Sequence, residues 1–156
     1  MTPVRAMSTR DMQTVAMIDA LLYESRADER LTDAELEVIL IGSRVRNARR
    51  GITGALLRDG DRIVQYLEGE PAAIERTLGA IQASPLHHDL AVIERATGVE
   101  RAFDRWYMGF RGFHADHRRA AATGEWVDSL ALVRDRIEGN APLARLVALW
   151  DEFEAA

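Results

Sequence analysis

Few residues in this chain have the chemistry for a functional site, and those few are mostly neutral polar groups. Tyr23, Ser25, Gln65, Trp106 and Met108 sit within apolar, strand-like runs, and Asn47 stands at the end of a helical one. In IVQYLEG, residues 63–69, the amide of Gln65 shares a face with Ile63 and Leu67 if the run alternates. A buried amide that finds no partner costs roughly 1–3 kcal/mol. A phenol offers one donor and an acceptor, a primary amide two donors and an acceptor. Tyr23 and Gln65 can therefore satisfy one another with capacity left over. That surplus either closes a polar network inside a core or addresses a bound polar ligand. Both readings stand on the residues alone.

The usual catalytic constellations are missing. His114 and His117 have the spacing of two metal ligands on a helix, but no carboxylate pair completes the set, so no metal site is assigned. Ser25 and Ser43 lack an evident base. ITG, residues 52–54, is not followed by the GK[ST] of a phosphate-binding loop. Glu68 and Glu70 read as charges favouring the start of the helix that follows them. The absence of cysteine excludes disulfides and thiolate chemistry.

Positioning these side chains requires a sheet. Residues 17–26 read as a first strand. Residues 31–47 read as a helix, with Thr32 and Glu35 forming a capping box and Leu36, Ile39, Leu40 and Ser43 on one face. Residues 51–69 form a hairpin with its turn at Asp59-Gly60. Pro71 opens a second helix, with Ile74, Leu78 and Ile81 buried, which the loop of residues 84–89 stops. Residues 90–98 and 105–110 supply the fourth and fifth strands. The order is that of an α+β, ferredoxin-like β-α-β-β-α-β-β sheet with both helices on one face. Such a topology sets the first and third strands side by side, bringing Tyr23 next to Gln65. The last stretch carries two amphipathic helices, one with Trp126, Leu130, Val133 and Ile137 and one with Leu143, Leu146, Val147, Trp150 and Phe153. They need the bare face of the sheet or a partner subunit to cover them.

The chain has 156 residues and a net charge of −5, enough length for one domain with a real core and no basic face for nucleic acid. No apolar run approaches the roughly 20 residues that span a bilayer, and residues 1–16 read as an extension without a signal-peptide core. The expectation is a cytoplasmic protein bound to neither nucleic acid nor membrane.

Five segments, in this order and at these spacings, make the sequence recognisable: LLYESRA (21–27), SRVRNARRGITGALL (43–57), IVQYLEGEPAAIE (63–75), PLHHDL (85–90) and FDRWYMGF (103–110). Together they resemble the BLUF family of blue-light sensors that use flavin. The resemblance implies a flavin, FAD or FMN, held noncovalently between the first two helices. By position, Tyr23 looks like the photoactive tyrosine and Gln65 like the switching glutamine between it and the flavin N5/C4 carbonyl edge. Asn47 looks like the asparagine on the C4 carbonyl, and His87 like the loop histidine on the polar side. Ser43 joins the flavin-contacting set, and Ile41 or neighbouring aliphatics form its apolar wall. Ser25, Trp106 and Met108 look like the switch residues that pass the change on. Arg46 stands where the family often has Asn or His, and is assigned to a flavin phosphate. Leu86 replaces an arginine, and Arg58 and Val64 replace aromatics common in the family.

The implied function is a photoreceptor in which an electron and a proton leave Tyr23 through Gln65. Gln65 then settles in a new hydrogen-bonding state, and absorption shifts slightly to the red. Residues 17–110 would be the sensor and 111–156 a C-terminal helical pair, too short for a catalytic output domain. The expected output is an unknown downstream protein or a change in a homo-oligomer. The competing expectations are an enzyme on the same scaffold, which lacks a visible base, and a light-insensitive interaction module, against which Tyr23 and Gln65 together speak.

Overall fold

The computed structural model describes residues 18–104, 108–113 and 133–155. Five strands form one sheet: β1 (Ile18–Ala27), β2 (Thr53–Asp59), β3 (Arg62–Gly69), β4 (His87–Val99) and β5 (Gly109–Gly112). The helices are α1 (Asp33–Arg50), α2 (Pro71–Gln82) and α3 (Ala141–Ala155), with a 3-10 turn at Arg134–Arg136. The strand order is β4-β1-β3-β2-β5. β1 pairs antiparallel with both β3 and β4, and β5 joins β2 in parallel at the edge. This is the ferredoxin-like α+β arrangement expected.

Alternation along the strands builds two cores. Leu21, Tyr23, Leu56, Ile63 and Leu67 face Leu36 and Leu40 of α1 and Ile74 and Leu78 of α2. Ala20, Leu22, Leu57, Val64 and Tyr66 face the other way and are covered by Leu143, Leu146, Trp150 and Phe153 of α3. Two-sided burial explains why the strands read as continuous apolar runs. The bare face is thus covered from within the chain by α3. Arg111 reinforces the join, its guanidinium lying 5.3 Å from the Trp150 ring centroid.

Several boundaries differ from the sequence reading. α1 starts as expected, with Thr32 Oγ1 accepting the Glu35 N–H at 3.2 Å, but runs to Arg50, three residues past Asn47. It ends where Gly51 takes a left-handed conformation, φ 68°. Asp59 is still paired with Arg62, so the hairpin loop is Gly60-Asp61 rather than Asp59-Gly60. β4, the edge strand, begins at His87, inside the stretch expected as loop, because its partner β1 extends far enough to pair Ala27 with His87. β5 is residues 109–112, and Met108 precedes it rather than lying within it. Residues 105–107 of the expected fifth strand, residues 1–16, and Trp126 and Leu130 of the expected first C-terminal helix lie outside the described residues. The end of that helix, 134–136, is a 3-10 turn.

Glu68 has a different role from the one its sequence position suggests. It does not cap α2, whose N-cap, Glu70, makes no side-chain cap bond. Instead Glu68, 0% exposed, accepts from Thr53 Oγ1, Tyr66 Oη and the backbone N–H groups of Ala102 and Phe103. Tyr66 Oη in turn accepts from Asn140 Nδ2 at 2.9 Å, and Asn140 Oδ1 accepts the Leu143 N–H at 3.1 Å. One buried carboxylate thus ties β3 to β2, to the β4–β5 connection and to the start of α3.

Candidate functional site

The antiparallel register sets Tyr23 of β1 directly opposite Gln65 of β3, and Leu56 of β2 on Gln65's other side. The Tyr23 hydroxyl donates a hydrogen bond to Gln65 Oε1. Gln65 Nε2 donates to Met108 Sδ at 3.2 Å. Sulfur is a weak acceptor, so the two ends of the amide are held unequally. Burial raises the Tyr23 phenol pKa well above its ordinary value, so the group stays protonated and a donor at any physiological pH.

Tyr23 and Gln65 form the floor of a cavity of about 260 Å³ between α1 and α2. Asn47, Ser43 and Arg46 of α1 and His87 of β4 also line it. Asn47 is buried, 4% exposed, and its backbone carbonyl accepts the Ile52 N–H at 2.9 Å beside the Gly51 cap. Arg46 Nη2 reaches Ser43 Oγ at 3.3 Å one helical turn back. The His87 ring lies 6.4 Å from that of Tyr23, with Nε2 2.7 Å from the Ile81 carbonyl. The apolar walls are Leu31, Ile39, Leu40, Ile81 and Leu86.

Ile41 does not belong to that wall. It is 59% exposed on the far side of α1. The helix turns about 100° per residue, so Ile39, Leu40 and Ser43 face inward while Ile41 faces out. Ser25 is buried on the Tyr23 face of β1, and among the described residues nothing hydrogen-bonds its hydroxyl. Trp106, grouped with it as a switch residue by the resemblance, lies outside the described residues, as do His114 and His117. Among the described residues there is no cluster of metal-ligating side chains.

Three residues of the site, Arg44, Arg50 and Thr77, escaped the sequence reading. Arg50 and Thr77 line the cavity opposite one another, Arg50 Nη1 lying 3.5 Å from Thr77 Oγ1. A polar Thr77 beside the apolar Ile74 and Leu78 was the available signal. Arg44 Nε donates to the Met108 carbonyl at 3.0 Å, tying α1 to the residue that holds Gln65. Nothing in local sequence links positions 64 residues apart.

The cavity suits the ring end of a flavin. Aliphatic side chains line it, and a phenol and two primary amides, those of Gln65 and Asn47, border it with groups of the kind that meet ring nitrogens and carbonyls. Arg46 and Arg50 add cationic groups suited to a phosphate. Its volume lies just below the roughly 300–1,000 Å³ of sites that engulf a whole drug-sized ligand, as expected if only the rings are enclosed.

Comparison with known proteins agrees. The chain is 31% identical over 86 residues to photoactivated adenylate cyclase subunit beta of Euglena gracilis, a match covering 55% of this chain and only 10% of that much longer protein. Its structure is similar to that of BlrB, a BLUF protein in its dark state, with a TM-score of 0.63 and 30% identity over 86% of this chain and 95% of that one. It is also similar to the photo-activated state of BlsA, with a TM-score of 0.62 and 25% identity over 90% of this chain and 96% of that one. Residues 18–109, more than half of the sequence, match the family described as sensors of blue-light using FAD. The chain therefore belongs to the BLUF family of flavin-binding blue-light sensors.

Proposed function

We propose that this protein is a photoreceptor in which Tyr23 and Gln65 form the light-driven switch and residues 111–156 carry the output. The observation that carries the reading is the asymmetric hold on the Gln65 amide. A strong donor, the Tyr23 hydroxyl, meets Oε1, and a weak acceptor, Met108 Sδ, meets Nε2. Bound flavin supplies blue-light absorption and an electron-accepting ring. Tyr23 gives up an electron and its hydroxyl proton, and Gln65 Oε1, already accepting that hydrogen bond, takes the proton first. Both return to Tyr23, and Gln65 settles with its donor and acceptor ends exchanged. The phenol can then accept from the amide nitrogen, so the altered state leaves neither residue without a partner. No covalent bond changes, and thermal reversal in the dark follows.

Asn47, Ser43 and His87 hold the flavin's polar edge in this reading, and Arg46 reaches a phosphate. Either FAD or FMN satisfies these contacts. The route outward runs from Met108 into β5 and across Arg111 to Trp150 of α3. Trp106 and Ser25 act beside Met108. The output is a separate protein partner or a changed oligomer rather than catalysis by this chain, and the setting is the cytoplasm. Among the described residues no helix is long and apolar enough to cross a membrane.

The test is an absorption spectrum of purified protein before and after blue light. A yellow protein with a reversible red shift is expected. A protein that binds no flavin would falsify the reading. Tyr23→Phe and Gln65→Leu should keep flavin and lose the shift; a normal shift in either removes that residue from the switch. Arg46→Ala should lose flavin on gel filtration if the guanidinium reaches a phosphate.

A further inference from the structure

Gln65 Nε2 is held by the sulfur of Met108, and Met108 is held in turn by α1. Arg44 Nε donates to the Met108 carbonyl at 3.0 Å. Arg44 is half-buried, and burial works against its charge, with Glu37 offsetting part of the effect. A guanidinium drawn partly out of water onto one carbonyl makes a charge-assisted hydrogen bond, about twice as strong as a neutral one. Met108 is 1% exposed and immediately precedes β5. A methionine side chain has three rotatable bonds and adapts readily, so where its sulfur sits depends on how firmly its backbone is fixed. Arg44 follows Ser43 of the cavity wall. The helix that lines one side of the cavity therefore also anchors the acceptor of the switch amide.

We propose that Arg44 is a positioning residue that fixes Met108 against Gln65 and so hastens the return from the altered state to the dark one. The inference rests on the exchange of amide ends proposed for Gln65. In the dark arrangement Nε2 has a proton to give and the sulfur accepts it. After the exchange Oε1 faces the sulfur, which has no proton of its own, so two acceptors oppose one another. A free Met108 could draw back and let another donor reach that oxygen. With its carbonyl pinned to α1, the opposition persists for as long as the altered state does. An unpaired acceptor sealed from water raises the energy of the state that contains it, and the dark arrangement has no such opposition. Arg44 is not among the residues that line the cavity and acts through Met108 alone.

Two substitutions separate the donor from the rest of the side chain. Glutamine carries its Nε2 the same number of bonds from Cα as the arginine Nε, whereas leucine keeps an apolar stem and has no donor. In flavin-loaded protein, the return in the dark after a blue pulse is timed at the flavin absorption. Arg44→Leu should slow it about fivefold, the effect of one hydrogen bond of ordinary strength, and Arg44→Gln should restore it to within about twofold of the wild type. Labelling methionine methyl groups with ¹³C reports on Met108 directly. The other four methionines lie within residues 1–17, and the resonance lost in Met108→Leu assigns its signal. In the dark that signal should move in Arg44→Leu and lie near its original place in Arg44→Gln. Arg44→Met carries the same kinetic expectation if the leucine variant does not fold. A return in Arg44→Leu as fast as in the wild type overturns the inference, as does a Met108 signal that stays in place. So does an Arg44→Gln variant as slow as Arg44→Leu, because the donor rather than the bulk is what must be restored. No red shift in the wild type removes the Gln65 switch and this role with it. A normal wild-type shift with unchanged return in Arg44→Leu removes the role of Arg44 alone.

Discussion

Replacing Glu68 by glutamine tests the joint between the sheet and what lies behind it. The carboxylate is wholly buried and receives Thr53 Oγ1 at 2.8 Å, Tyr66 Oη at 2.9 Å and the Phe103 N–H at 2.7 Å. The Ala102 N–H is shared between its two oxygens at 2.9 and 3.0 Å. Glutamine keeps the shape and one acceptor. It puts an NH₂ group where the second oxygen met Tyr66 and Ala102, and Tyr66 Oη is already occupied as an acceptor by Asn140. Hydrogen bonds to a charged group contribute about 1.5–3 kcal/mol and neutral ones about 1. Weakening the retained contacts and opposing two donors should cost about 2–3 kcal/mol in all, since losses within one network do not add. For a chain of this length each 1 kcal/mol moves the midpoint by about 2–4 °C, so Tm should fall by about 4–12 °C. Thermal and urea unfolding at fixed flavin concentration measure it, because bound ligand stabilises on its own account. Tyr66→Phe removes a donor to the carboxylate and the acceptor of Asn140 Nδ2, and should itself cost about 1.5–3 kcal/mol. A Glu68→Gln change below about 0.5 kcal/mol, the range of ordinary surface substitutions, refutes the reasoning.

Other perturbations give equally sharp outcomes. Gly54→Ala should prevent folding or cost more than about 4 kcal/mol, because a Cβ there would lie 1.9 Å from the Tyr66 carbonyl oxygen. Gly79→Ala meets nothing within 4 Å and should raise stability by about 0.5–1 kcal/mol; soluble expression and urea midpoints distinguish the two. Burial raises both the Tyr23 and Tyr66 phenols above the ordinary value of 10.0, Glu68 adding to the effect at Tyr66. Below that value both are protonated whether folded or not. Above it only the unfolded chain releases the protons, so urea stability should fall as pH rises past about 10. In a Tyr107→Phe background, which leaves Tyr23 and Tyr66 as the only tyrosines, phenolate absorbance should appear together with loss of circular dichroism, and its appearance in folded protein would contradict their burial. Arg44→Met should lose the bond to the Met108 carbonyl and lower stability by about 1 kcal/mol, with flavin retained on gel filtration; an unchanged urea midpoint would show that the bond contributes nothing.

Periodicity and turn chemistry are enough to determine the order of elements, and the order is enough to determine the sheet. Thr32, Pro71 and the apolar spacing of α1 and α2 are local signals. Right-handed crossover connections leave few arrangements for β-α-β-β-α-β. Hence the adjacency of Tyr23 and Gln65 is legible in the sequence, as is the cavity-facing set of Ser43, Asn47 and His87 from resemblance. Strand ends are less legible, because they are set by a neighbour's length. His87 joins β4 since β1 reaches Ala27 to pair with it.

Tertiary structure decided what local chemistry leaves open. Helical phase, fixed by which residues the sheet buries, turned Ile41 outward and put Ile39 and Leu40 in the wall. Met108 became the partner of Gln65, and Arg44 the tether of Met108, through contacts 43 and 64 residues apart in the chain. Glu68 reads in sequence as a helix-start charge. The fold encloses it with four donors, from β2, from its own strand and from the β4–β5 connection, because a carboxylate sealed from water must be hydrogen-bonded. Sequence therefore determined which groups are present and which strands carry them. Only packing determined which donor meets which acceptor, since that depends on distances between segments that share no local pattern.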